Sequence, residues 1–206
     1  DMHRSQPMSR LLQGDVGSGK TVVSLYAMMI AVAGGSQAAL MVPTEILARQ
    51  HANSIRAMTR SIPSLRIAVL RGSAKAKERR ENMELIRTGT AQIIIGTHAL
   101  FQDQVEFANL GLVVVDEQHK FGVDQRHKLI EKGNCPDLLV ATATPIPRTL
   151  SLTLFGDMDV SVIRSLPPGR PPLITRWTTW GKEGKVWEFV DEKIADGQQV
   201  YVVCPI

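Results

Sequence analysis

Cysteine is almost missing from this chain. Cys135 and Cys204 are the only two, and neither belongs to a Cys-x-x-Cys pair or to a Cys/His cluster with metal-ligand spacing. That argues against a disulfide scaffold, and the five scattered histidines argue against a zinc site. The expectation is two reduced, buried thiols in a cytoplasmic protein. Long apolar runs are missing too: the stretch Leu25 to Ala33 is interrupted by Tyr26 and ends at Gly34-Gly35. It falls well short of the roughly 20 apolar residues that span a bilayer. There is no internal repeat, no low-complexity segment and no strongly basic tail. The net charge of +4 is a mild excess, which suits contact with a polyanion without establishing one. The chain begins at Asp1 with neither an initiator Met nor a basic leader, and it reads as an internal stretch of a longer polypeptide.

What is present is enough apolar residue, 44% of 206, for one full α/β domain and a piece of another. Short apolar runs alternate with longer helical patterns, the signature of βαβ units and a mostly parallel sheet. The pattern predicts strands at Ser9 to Gln13, Ala38 to Val42, Arg66 to Leu70, Gln92 to Gly96, Leu112 to Asp116 and Leu138 to Thr142. Helices are predicted over Lys20 to Ala33, Glu45 to Thr59, Ala74 to Thr88 and Asp124 to Lys132. Ile93-Ile94-Ile95 and Val113-Val114-Val115 do not alternate, so both faces of the sheet should be covered. Four prolines between Pro167 and Pro172 forbid a helix and mark a linker. The division is therefore 1–164, a linker at 165–172, and 173–206. The last part is read as a short strand (Leu173 to Trp177), a helix (Lys182 to Ala195) and a strand (Gln199 to Cys204), too small to bury a core of its own.

Gly14-Asp15-Val16-Gly17-Ser18-Gly19-Lys20-Thr21 matches G-x-x-x-x-G-K-[ST] between a predicted strand and a predicted helix. Glycines let backbone amides converge on phosphate oxygens, and the helix N-terminus adds its dipole. Lys20 would reach the β- and γ-phosphates of ATP, and the Thr21 hydroxyl would ligate Mg²⁺. Asp116 and Glu117 close the apolar run Leu112 to Val115, so a buried strand delivers two carboxylates at its C-terminal edge. Asp116 would hold Mg²⁺, and Glu117 would orient or deprotonate the attacking water. Three other segments start at strand ends: Pro43-Thr44 to His51, Gly96-Thr97-His98-Ala99-Leu100, and Thr142-Ala143-Thr144 to Leu150, which includes Arg148. Each could serve only as a helix cap; together they crowd the edge that carries the nucleotide motif. Arg71-Gly72 and the run Lys75 to Arg80 are the densest positive charge.

On these segments, together with Gln118-His119-Lys120-Phe121-Gly122-Val123 and Leu166-Pro167-Pro168-Gly169-Arg170, the chain resembles superfamily 2 helicases. Within them it resembles the RecG branch-migrating DNA helicases. Gln118 favours them over the transcription-repair coupling translocases, whose acidic motif usually reads Asp-Glu-Glu-His. Lys120 stands where the family carries Arg, which keeps the charge and loses the planar fork. The resemblance implies a three-layer RecA-like P-loop NTPase lobe and the beginning of a second. It assigns Gln118 and His119 to sensing the γ-phosphate, and Thr142 and Thr144 to passing on its loss. DNA would be gripped through Pro43, Thr44, Arg71, Gly72, Thr97, His98 and Arg148. It also places the arginine finger on lobe two and adenine recognition upstream of the P-loop. The implied activity is ATP-driven remodelling of branched DNA; the rivals are the coupling translocase and a non-catalytic nucleic-acid-binding module.

Overall fold

The structure, a computed structural model, describes residues 1–4, 6–116, 130–144, 158–165 and 174–204. It divides into two compact units, Asp1–Pro168 and Gly169–Ile206.

The first unit is a wholly parallel sheet. Its strands are β1 (Ser9–Gly14), β2 (Gln37–Met41), β3 (Ile67–Leu70), β4 (Ile93–Gly96), β5 (Leu110–Asp116), β6 (Asp137–Thr142) and β7 (Asp159–Ile163). They lie in the order β3-β4-β2-β5-β6-β1-β7. Helices α1 (Lys20–Ala33), α2 (Glu45–Met58) and α3 (Ala76–Arg87) and a 3₁₀ turn (His98–Phe101) join them. Successive residues of each strand point to opposite faces, and both faces are packed. Leu12, Ala38, Leu40, Ile93, Ile95, Leu112 and Val114 meet α1 and α2 on one side. Leu11, Ala39, Met41, Ile94, Val113 and Val115 meet α3 and the 3₁₀ turn on the other. The unbroken runs therefore lie in the central strands. Ile93, Ile94 and Ile95 are wholly buried, and each such side chain contributes about 1.5–3 kcal/mol.

Local chemistry sets the ends of the helices. Thr44 caps α2, its Oγ1 accepting from the Leu47 amide at 3.3 Å. Gly35 (φ 81°) and Gly89 (φ 72°) stand just beyond α1 and α3, in a left-handed conformation that glycine adopts without strain. At the N-terminal side of the sheet, the buried Gln37 Nε2 donates to Ile86 O at 2.9 Å and Ala91 O at 2.8 Å. Its Oε1 accepts from the Asn109 amide at 3.1 Å, so one side chain ties α3 and the approaches to β4 and β5 together.

The structure adds β7, which the sequence pattern did not predict. This edge strand is largely exposed, and Arg10 holds it, donating to Ser161 Oγ at 2.7 Å and Asp159 Oδ2 at 3.1 Å. Of the predicted helix Asp124 to Lys132, only the end from Ile130 falls within the described residues, as does little of the Pro-rich linker.

Among its described residues the second unit holds one helix, α4 (Glu183–Ala195), none of whose residues is buried. Arg176 and Lys193 lie 5.7 Å and 5.4 Å from the Phe189 ring centre. The strands expected at Leu173 to Trp177 and Gln199 to Cys204 are not formed among the described residues. A strand needs a neighbour for its backbone groups, and Tyr201 and Val203 stand 85% and 91% exposed. The cysteine expectation is corrected as well: Cys135 and Cys204 are both exposed free thiols. Cys135 sits in the turn before β6 at φ 53°, and Cys204 lies in the unit without a core.

Candidate active site

Parallel register brings the C-terminal ends of six strands to one edge. Gln13 pairs with Thr142, Asp116 with Ala141, Met41 with Val115 and Gly96, and Leu70 with Gly96. The segments that follow these strands, far apart in sequence, share that edge.

The phosphate loop follows β1. Gly17 and Gly19 have φ of 80° and 96°, a backbone that a side chain would strain. Gly14 is tight for another reason, since a Cβ there would lie 2.4 Å from Ser18 Oγ. No side chain caps α1: the Val22 and Val23 amides donate to Gly19 O, and those of Lys20 and Thr21, ahead of them, have no side-chain cap. Lys20 Nζ donates to Gly14 O at 2.7 Å and to Asp15 O at 2.9 Å, so the ammonium is folded back onto its own loop. Ser18 Oγ is buried without a hydrogen-bond partner. An orphaned hydroxyl, uncapped amides and a lysine suit an anionic oxygen ligand.

Facing the loop across a cavity of about 340 Å³ are Asp116 from β5, Gln50 and His51 from α2, and Ala143 after β6. Lys20 and Thr21 line the same cavity, which joins the predicted phosphate lysine, hydroxyl ligand and carboxylate. His51 is the member that sequence reasoning did not assign. Its Nε2 lies 3.0 Å from Asp116 Oδ2, and both side chains are mostly buried. The only signal for it was its place two turns into the helix that begins at Thr44. Among the described residues no group of three or more His, Cys, Asp or Glu forms a metal cage. The donor set available to a cation is therefore the Thr21 hydroxyl and the Asp116 carboxylate, hard oxygens of the kind Mg²⁺ takes with phosphate and water. Thr142 and Thr144 sit beside the cavity with their hydroxyls 2.8 Å apart, and the Thr144 amide donates to Thr142 Oγ1 at 3.2 Å. Glu117, Gln118, His119 and Arg148 lie outside the described residues.

A second cluster occupies the same edge above β2, β3 and β4. Glu45, in the first turn of α2, accepts from the Ser73 amide at 2.9 Å and from the Ser73 hydroxyl. Those two bonds lower its carboxyl from the ordinary value against an opposing desolvation, and the Arg71 charge and the Gly72 amide add smaller shares. A Cβ on Gly72 would lie 3.4 Å from Glu45 Oε1 and 4.0 Å from His98 Nε2. Gly72 and His98 are thus close together beside the first turn of α2 that Thr44 caps, and all three are exposed, while Thr97 is buried with its hydroxyl unpartnered. Arg71 is held to Glu78 at 2.6 Å.

A P-loop, a strand-end carboxylate and a covered parallel sheet define a nucleotide-binding motor lobe. Residues 4–153 match the family model for DEAD/DEAH box helicases, and the chain belongs to that family. Within it the likeness is to RecG. The chain is 56% identical over 206 residues to the ATP-dependent DNA helicase RecG of Streptococcus pneumoniae, covering 100% of this chain and 30% of that protein. It is 50% identical to RecG of Bacillus subtilis, with the same shares covered. It also superposes on the structure of RecG bound to a three-way DNA junction with a TM-score of 0.83 and 42% identity, covering 100% of this chain and 27% of that one. The chain thus spans less than a third of the length of these relatives.

Proposed function

We propose that this chain is the first motor lobe of an ATP-dependent DNA helicase that moves along duplex DNA and remodels branched structures such as stalled forks and Holliday junctions. It would act in recombination and repair in the cytoplasm. One observation carries the reading: Lys20, Thr21 and Asp116 surround a single cavity at the sheet edge that also presents Thr44, Gly72 and His98. The identity to RecG proteins supports the choice of branched DNA.

ATP would enter with its phosphates against the amides after Gly14. Lys20 would then exchange the Gly14 and Asp15 carbonyls for phosphate oxygens, a swap that opens the loop's own closure. Thr21 and Asp116 would hold Mg²⁺, which when bound neutralises charge on the phosphates. Glu117, next to Asp116, orients the attacking water. Thr142 and Thr144, already bonded to each other where β6 ends, would relay the state of that site across the shared sheet edge to the DNA-facing cluster. Charge stabilisation opposite Lys20 is the missing part. Arginine fingers supply roughly 10³–10⁵ in rate, and no arginine among the described residues lines the cavity. A second lobe of the longer protein would supply it.

The test is steady-state ATPase of the full-length protein with Lys20→Ala or Glu117→Gln. Each should reduce turnover to background while DNA binding stays measurable. Turnover retained in either variant removes that residue from the site.

A further inference from the structure

A groove runs down the open side of the sheet, away from the nucleotide cavity. Its floor is Ile67 and Val69 of the edge strand β3, its walls come from α2 and α3, and its volume is about 510 Å³. Arg49, Asn53 and Arg56 line it from α2, Arg71 from just after β3, and Glu78 and Asn82 from α3. The three α2 residues follow a spacing of four and three, so they share a helix face, beside the buried face of Ala48, Ala52 and Ile55. Arg71 stands at the end of β3 next to Gly72, where the proposed DNA-facing cluster lies, and α2 runs back from that edge. The groove therefore continues the cluster down the side of the lobe.

Its charge is unbalanced. Glu78 is committed to Arg71 at 2.6 Å. Arg49 and Arg56 are exposed and have no hydrogen bond or ion pair among the described residues. Two uncompensated guanidinium groups two helical turns apart lie about 10 Å from one another along the axis. Measured along the axis of duplex DNA, where each strand rises about 3.4 Å per phosphate, that is about three steps. Asn82 Nδ2 donates to Val69 O at 3.1 Å, so a carbonyl of the edge strand is already taken, which disfavours strand addition by a peptide.

We propose that this groove binds the phosphodiester backbone of DNA as it leaves the sheet edge, with Arg49 and Arg56 each neutralising a phosphate and Asn53 donating between them. The inference rests on the reading of the chain as a DNA motor lobe and adds a track which that reading does not contain.

The experiment measures binding of the full-length protein to forked DNA by anisotropy over a range of salt, comparing wild type with Arg49→Ala/Arg56→Ala and Arg49→Lys/Arg56→Lys. Loss of two phosphate contacts should flatten the slope of log K against log salt by about 2 and weaken binding about tenfold at physiological salt. The lysine pair should keep most of the slope, and the thermal midpoint and DNA-independent ATPase of both variants should match wild type. An alanine pair with wild-type slope and affinity overturns the groove. Wild type that fails to bind forked DNA overturns the motor reading instead, so the two failures are distinguishable.

Discussion

At the scale of single residues, the contact that most needs a purpose is His51 to Asp116. A carboxylate that is to hold a cation gains from a neighbour that fixes its orientation, and the imidazole donating from Nε2 at 3.0 Å does that. Removing such a partner typically lowers metal affinity or activity by about 10–100-fold. His51→Ala in the full-length protein should therefore raise the Mg²⁺ concentration needed for half-maximal ATPase within that range, with DNA binding unaltered. His51→Asn, which can still donate, should recover part of the loss. An unchanged Mg²⁺ dependence in the alanine variant would assign His51 to packing alone. Glu45 belongs instead to the cluster proposed to face DNA. Its folded pKa lies below the ordinary 4.5, so the Glu45–Ser73 tie contributes above that value and is lost only as the pH falls through the lowered one. Between about pH 6 and about pH 8 the tie should be constant. Glu45→Ala should weaken forked-DNA affinity several-fold equally across that window, without changing ATP affinity; a loss confined to one end of the window would show another group at work.

At the scale of elements, close packing around β4 sets the tolerance of the sheet. A Cβ on Gly96 would lie 2.9 Å from Leu70 O and 2.9 Å from Leu100 Cγ, so backbone and a core side chain both resist it. Gly96→Ala should cost about 1–3 kcal/mol, read as a lower denaturant midpoint at unchanged slope; a wild-type midpoint would mean that the strand shifts freely. Which elements were legible follows from the same packing. The central strands announced themselves because burial on both faces demands unbroken apolar runs, and α1, α2 and α3 because glycine or a capping threonine marks their ends. β7 stayed hidden: an edge strand of the pattern Asp159-Val160-Ser161-Val162-Ile163 is mostly exposed and is held in part by Arg10, a contact made from far along the chain. The opposite error, at Leu173 to Trp177 and Gln199 to Cys204, has a related cause. Apolar and β-branched residues state a preference for pairing, but among the described residues no neighbouring strand accompanies them. In the site, Lys20, Thr21 and Asp116 were legible because their motifs fix local geometry. His51 was not, because its role depends on how α2 lies across β5.

At the scale of the whole molecule, these residues hold one side of the proposed hydrolytic site. The cavity has its phosphate loop, hydroxyl and carboxylate, but lacks an arginine among the described residues to stabilise the charge that develops on transfer. The 206 residues alone should therefore bind Mg-nucleotide weakly and turn it over barely above background. Robust DNA-stimulated hydrolysis by the isolated chain would contradict that division of labour. The central claim is that nucleotide hydrolysis at the edge of this sheet is coupled to branched DNA held on the same edge. It is tested most directly by the steady-state ATPase rate of the full-length protein, measured without DNA, with linear duplex and with forked DNA. The expected result is a low rate without DNA, strong stimulation by the fork, and loss of both with Lys20→Ala. A rate that is indifferent to forked DNA, or that survives the loss of Lys20, would contradict it.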